Sequence, residues 1–136
     1  FFSGLGSEEI FAGYQRHEIA ENINDECWLG LKTTWQRDFQ RDFAIGSYLK
    51  VKFLTPFLDE QLIETAMKID GKLKINDGHK KYILRKMALS FGLPEEFAFR
   101  KKIAAQYGSS FDKAIEKIAK SKGFKYKQEY LDSLKK

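Results

Sequence analysis

A single cysteine, Cys27, and two prolines, Pro56 and Pro94, stand among 136 residues. One cysteine excludes an internal disulfide, and the two histidines, His17 and His79, are too few to complete a structural zinc site with it. A reducing, cytoplasmic setting is therefore expected. No apolar run approaches the roughly 20 residues that a membrane-spanning helix needs, and the amino terminus lacks the basic-then-apolar order of a secretory signal. No membrane partner is expected. Excess charge is also missing from most of the chain. Between Lys113 and Lys136 eight lysines face Glu116, Glu129 and Asp132, which accounts for the whole net charge of +5. The remainder is balanced, so the body of the protein does not present itself as a nucleic-acid surface.

What is present is a 43% hydrophobic composition, enough for one compact domain. Its apolar residues recur with helical spacing. Ser7 followed by Glu8 and Glu9 predicts a helix start and a helix to about Asn22, because carboxylates complement the positive end of the helix dipole. Asn22 to Asp25 reads as a turn. Cys27 to Tyr48 reads as a longer helix, with Leu31, Trp35, Phe39 and Phe43 four apart and with Arg37-Asp38 echoed by Arg41-Asp42. Thr55-Pro56 forces a bend before a third helix carrying Leu58, Leu62, Ile63, Ala66 and Met67 inward. Asn76-Asp77-Gly78 signals a turn. A fourth helix, about Lys80 to Phe91, is expected to bury Ile83, Leu84, Met87, Ala88 and Phe91, and to expose Lys81, Arg85 and Lys86. Gly92 stops it. Ser109 or Ser110 caps a fifth helix, and the residues after Gly123 form one more helix or a loose tail.

Strand candidates are few: Phe1-Phe2, and Leu73 to Ile75. Phe1-Phe2 fits the end of a buried strand leading into a glycine turn, half of a βα unit, and a lone strand has no sheet to join. The expectation is a carboxy-terminal piece of a larger α/β enzyme, present as a cloned fragment, a proteolytic product or a split subunit.

Ser3-Gly4-Leu5-Gly6-Ser7 has the makings of an anion cradle. Its glycines let backbone N–H groups come close, and its hydroxyls add donors in front of a helix. It is neither a Walker loop nor a Rossmann turn. On composition alone, a tight turn with a capping serine explains it as well.

The longer stretch Ser3-Gly4-Leu5-Gly6-Ser7-Glu8-Glu9-Ile10-Phe11-Ala12-Gly13-Tyr14 resembles the asparagine synthetase family segment written SGEGSDEVFGGY. Arg41-Asp42 before Pro56-Phe57-Leu58-Asp59 is similar to that family's Arg-Asp before Pro-Phe-Leu-Asp. Lys81-Tyr82-Ile83-Leu84-Arg85 resembles its Lys-x-x-Leu-Arg helix, and Pro94, Arg100-x-Lys102 and Gly108 resemble its closing elements. The ordered matches cover roughly residues 3 to 108.

The resemblance implies a mostly α fold: the C-terminal helical half of an α/β adenine-nucleotide-hydrolase-like (HUP-type) synthetase domain, with one residual strand end at the N-terminus. Residues 1–120 would belong to that domain and 121–136 to a basic helix or tail. It implies a carbon–nitrogen ligase that uses ATP and Mg2+ to convert a carboxylate into an acyl-adenylate, releases pyrophosphate and forms an amide. The family's upstream Ser-Gly-Gly-x-Asp-Ser ATP loop is not in this sequence. Partners would be the carboxylate, the missing half of the domain or a split subunit, and a glutaminase domain.

Residue by residue, the resemblance makes Ser3 and Gly4 adenylate contacts, and Gly6 and Ser7 part of the pyrophosphate pocket. Glu8 stands where the family has an aspartate for magnesium, with the helix dipole as the plain alternative. Glu9 reads as a helix-start or supporting residue. Lys102 matches the lysine that neutralises the leaving phosphates. Leu5 departs from the glutamate of asparagine-making members, and Lys52 replaces the glutamate that partners a tyrosine in β-lactam-forming relatives. Neither a carboxylate base nor that dyad is available, so the substrate is not expected to be plain aspartate. Arg41-Asp42 and Pro56 to Asp59 read as scaffold, Tyr14, Trp28 and Trp35 as core, and both histidines as surface or capping residues.

Two other function classes remain. Lysines alternating with Phe124, Tyr126 and Tyr130 suit a polyanion, making an RNA-binding or tRNA-directed relative, although a solvated terminal helix is the commoner use of that composition. Leu5 and Lys52 also suit a non-catalytic scaffold remnant.

Overall fold

The computed structural model of the protein describes residues 1–103 and 105–135. It divides into two compact units, Phe1–Phe99 and Arg100–Lys136, and its described residues are mostly helical.

In the first unit, Phe2 forms a parallel bridge with Leu54, and the Ser3 N–H donates to the Leu54 carbonyl at 2.8 Å. The glycine turn follows, then α1 (Ser7–Ile10) and a 3-10 turn at Gln15–Glu18. The expected helix to Asn22 is not formed. Ala12 adopts φ 56°, a left-handed conformation that ends a right-handed helix, and the Gly13 N–H bonds to the Glu8 carbonyl at 2.7 Å. Ser7 is the first helical residue and not the cap, since Gly6 holds the cap position at φ 91°.

The second expected helix begins earlier, as α2 (Ile23–Thr34), because the Asn22 side chain accepts the N–H groups of Asn24 and Asp25. A π turn at Trp35–Phe39 joins it to α3 (Gln40–Tyr48). The repeated pairs form as read: Arg37 to Asp38 at 2.6 Å and Arg41 to Asp42 at 2.7 Å. Pro56–Leu58 makes a 3-10 turn, and the Asp59 carboxylate caps α4 (Glu60–Lys68).

Next comes α5 (Gly71–Lys74), which takes in Leu73 and leaves Ile75 to a short hairpin. In that hairpin β1 (Ile75–Asn76) pairs antiparallel with β2 (His79–Lys80), Ile75 opposite Lys80. Asp77 and Gly78 both take positive φ, as a type I′ turn requires. Helix α6 (Tyr82–Ser90) ends in a Schellman motif: Gly92 donates to the Leu89 carbonyl and Leu93 to that of Ala88, with Gly92 at φ 87°. A single turn, α7 (Glu95–Ala98), closes the unit.

Its core is centred on Ile10, Phe11 and Ala66, with Leu62, Ile63, Met67, Ile83 and Leu84 packed around them as the periodicity implied. Four expected core positions are not core. Trp28 is 41% exposed, Trp35 56%, Met87 47% and Phe91 80%, and Trp35 meets the ring of Phe43 at 6.2 Å without being enclosed. His17, read as a surface or capping residue, is fully buried and does cap: its side chain accepts the Tyr14 N–H at the start of the 3-10 turn.

The second unit contains α8 (Ala105–Gly108), α9 (Phe111–Ser121) and α10 (Lys127–Ser133). Ser110 precedes α9 without a side-chain cap, while the Ser109 hydroxyl accepts the Phe111 N–H at 3.3 Å. After Gly123, residues Lys127–Ser133 form a helix, one of the two alternatives read from the sequence. Gly123 at φ 83° ends α9 in a second Schellman motif, with Phe124 donating to the Ala119 carbonyl and Gly123 to that of Lys120. The chain then returns so that Lys127 pairs with the Asp112 carboxylate.

Candidate functional site around the glycine turn

The turn is built by motif upon motif. A Cβ added at Gly6 would lie 2.5 Å from Leu58 Cδ2 and 3.1 Å from the Phe57 carbonyl oxygen, so the Pro56–Leu58 turn presses directly on the glycine. A β-carbon is excluded there twice, by contact and by φ. Gly4 is the opposite, with nothing within 4 Å of the place its Cβ would take. The Ser3 hydroxyl accepts the Leu5 N–H at 3.3 Å and so helps to form the turn. Among the described residues the N–H groups of Gly4 and Gly6 have no protein acceptor.

Sequence reasoning set Lys81 on an exposed helix face. It lies instead at the cap of α6 with φ 54°, and its ammonium points back to α1. Nζ donates to Ser7 Oγ at 3.0 Å and meets Glu8 Oε1 at 2.8 Å. The two side chains meet over Gly13, where a Cβ would stand 1.7 Å from Glu8 Oε2 and 2.7 Å from Lys81 Cε. The Asn76-Asp77-Gly78 signal carried the information, since a tight hairpin immediately upstream re-aims the first residue of the next helix.

Glu9 is 2% exposed and does more than begin a helix. Its Oε1 accepts from Tyr14 OH at 3.1 Å, Thr34 Oγ1 at 2.9 Å and Arg37 Nη2 at 2.9 Å. Arg37 reaches it from the π turn. Burial, followed by the Glu9 charge, pushes the Tyr14 phenol up to about 12, so it stays protonated and donates. Burial lowers the His17 pKa, and its Nδ1 accepts the Tyr14 N–H at 3.1 Å. A carboxylate, a phenol, a hydroxyl and a guanidinium thus brace α1 from behind.

Ser3, Gly4, Gly6, Ser7 and Glu8 are therefore contiguous, with Lys81 added. Leu5 is half-buried and Lys52 exposed. Lys102 belongs to the second unit, where it is exposed and outside helix. Among the described residues no group of three or more His, Cys, Asp or Glu could hold a metal ion, and no helix is long and apolar enough to cross a membrane. A depression of about 500 Å³ on α2, lined by Asp25, Trp28, Leu29 and Lys32, contains none of the expected site residues.

The family model for asparagine synthase matches residues 19–133. The chain belongs to the asparagine synthase family. The match begins after the glycine turn. The "Putative asparagine synthetase (glutamine-hydrolyzing) 1" of Methanocaldococcus jannaschii, however, is 31% identical over 173 aligned residues that cover 98% of this chain, and so runs through the turn. The mouse asparagine synthetase domain-containing protein 1 is 35% identical over 133 residues, covering 88% of this chain. Asparagine synthetase B of Escherichia coli is 32% identical over 105 residues, covering 74%. This asparagine synthase family chain spans 32%, 20% and 19% of those relatives respectively. No solved structure matches it significantly.

Proposed function

We propose that this chain supplies the pyrophosphate-gripping side of an ATP-dependent, amide-forming ligase built on a HUP-type synthetase domain. A substrate carboxylate oxygen attacks the α-phosphorus of ATP and pyrophosphate leaves. A nitrogen nucleophile then attacks the acyl carbon and AMP leaves. Family membership supports the reaction class, and one observation carries the assignment to this site: the Lys81 ammonium stands at Ser7, beside a turn whose glycine amides have no protein acceptor among the described residues.

Negative charge accumulates on pyrophosphate as it departs, and donors already in place stabilise it without reorganisation. The Gly4 and Gly6 amides, the Ser7 hydroxyl and Lys81 Nζ are such donors. Helix α1, at four residues, adds little through its dipole. Ser3 and Gly4 face the adenylate in this reading, with the open space at Gly4 leaving room for it. By the family resemblance, Lys102 is the lysine proposed to neutralise the leaving phosphates.

Bound Mg2+ would neutralise phosphate charge. Glu9 is committed to three donors, which leaves Glu8 as the carboxylate for the ion. One carboxylate with phosphate oxygens and water is an ordinary magnesium set, and it fits once Lys81 passes from Glu8 to a phosphate. Leu5 and Lys52 offer no proton acceptor to an aspartate-directed step, so the acceptor is a carboxylate other than plain aspartate. A glutaminase domain as nitrogen source and a cytoplasmic setting complete the proposal.

The test is ATP–pyrophosphate exchange by the complete gene product across a panel of carboxylates. Exchange that needs one acid and falls about 100-fold in Lys102→Met supports the ligase. No exchange with any acid overturns it.

A further inference from the structure

We propose that Cys27 and Lys74 form a modification site for hydrogen peroxide, joining Sγ to Nζ as a sulfenamide. Cys27 lies in α2 and Lys74 ends α5, and both are 0% exposed. Lys74 Nζ stands 3.9 Å from Cys27 Sγ and 4.0 Å from Met67 Sδ. Among the described residues no oxygen acceptor or carboxylate meets that nitrogen. A lysine is almost never buried without a counter-charge, and here the whole side chain is enclosed with its amine aimed at the one thiol of the chain.

The surroundings hold the two atoms in place. A Cβ at Gly71 would lie 3.0 Å from Ile23 Cβ, so α5 comes onto α2 at van der Waals distance because position 71 is glycine. Asn24 Nδ2 donates to the Met67 carbonyl at 3.1 Å and the Ile69 carbonyl at 3.0 Å, tying the start of α2 to the end of α4.

The chemistry follows from the enclosure. Burial lowers the Lys74 pKa, which favours the neutral amine, a base and a nucleophile. Burial pushes the Cys27 thiol up, opposed by Lys74 and by the Ala12 backbone hydrogen bond. The amine takes the thiol proton as sulfur attacks peroxide; S–O forms, O–O breaks, and the departing hydroxide takes that proton from the ammonium to become water. The amine then attacks the sulfenic sulfur; S–N forms, S–O breaks, and the second hydroxide leaves with an amine proton. One peroxide is reduced to two waters, and the protein loses two hydrogen atoms. A sulfenic acid condenses with a thiol or a nitrogen. With no second cysteine, the nitrogen at hand is Lys74.

The experiment treats the folded chain with hydrogen peroxide and reads intact mass, free thiol in denaturant, and a tryptic map. The expected result is a loss of two hydrogens, loss of the thiol, loss of cleavage after Lys74, and one linked species holding Cys27 and Lys74, all reversed by dithiothreitol. Lys74→Arg keeps a cation but removes the amine, and should leave a sulfenic acid that dimedone captures. A thiol that survives treatment, or a mass gain of oxygen with Lys74 still cleaved, overturns the proposal. Both are read on the unsubstituted chain, so the test stands even if Lys74→Arg does not fold.

Discussion

Lys81 Nζ is shared between Ser7 Oγ at 3.0 Å and Glu8 Oε1 at 2.8 Å, which puts a cation from the start of α6 onto the first turn of α1. Ser7 and Glu8 thereby compete with any anion that enters the glycine turn for an ammonium supplied from most of the first unit away.

Removing that ammonium should weaken pyrophosphate. Lys81→Met is expected to lower affinity about tenfold, or about 1.4 kcal/mol, by titration calorimetry. Glu8→Gln should act in opposite directions: tighter pyrophosphate without Mg2+, because Lys81 is released, and weaker with it, because the metal carboxylate is gone. Parent-like binding by both variants would remove Lys81 and Glu8 from the site.

Gly6 and Gly4 should respond differently to the same change. Gly6→Ala meets Leu58 and keeps φ 91°, and is expected to cost about 2–4 kcal/mol in denaturant unfolding. Gly4→Ala has free space and should stay within about 0.5 kcal/mol of the parent. Equal losses would contradict the contact with Leu58.

The brace behind α1 should be unequal in its parts. Glu9→Ala removes the acceptor of the Tyr14 hydroxyl, while Thr34 keeps the Gly30 carbonyl and Arg37 keeps Asp38, and is expected to cost about 1–3 kcal/mol. Arg37, 41% exposed at its side chain, should cost about 1 kcal/mol as alanine, because Tyr14 and Thr34 continue to satisfy Glu9. A double-mutant cycle with no coupling would separate the two residues energetically.

Stability should fall in mild acid through His17. Its folded pKa lies below the ordinary 6.5, so between the two values the unfolded chain binds more protons. The stabilisation is complete above the unfolded value and declines as pH drops from there toward the folded pKa. Unfolding curves across that window should flatten in His17→Gln, and an unchanged slope would assign the dependence to other groups.

Lys74→Met replaces an enclosed amine with an apolar chain of similar length. A gain of about 1–2 kcal/mol is expected, since no counter-charge is lost. A loss would mean that the two sulfur contacts stabilise the amine more than its burial costs.

Much of this was legible before the coordinates. Helix stops at Gly92 and Gly123, the core face of α4 and the two Arg-Asp pairs follow from local chemistry, and local chemistry is what a sequence displays. The misses have a common origin. Ala12 in a left-handed conformation, Trp35 outside the core and Lys81 turned inward are decided by contacts or voids distant in the chain, and periodicity is blind to both. The turn motif pointed to Ser3 through Glu8. It could not reveal that Glu9 would be gripped from a π turn, because that grip depends on a helix losing its regular winding at Trp35–Phe39.

Gly13 behaves as a keyhole. Its missing side chain is the gap through which the acid at position 8 and the base at position 81 reach each other. A β-carbon there would have to push the ends of both side chains aside, so one hydrogen atom in place of a methyl group sets how closely that acid and that base meet at rest.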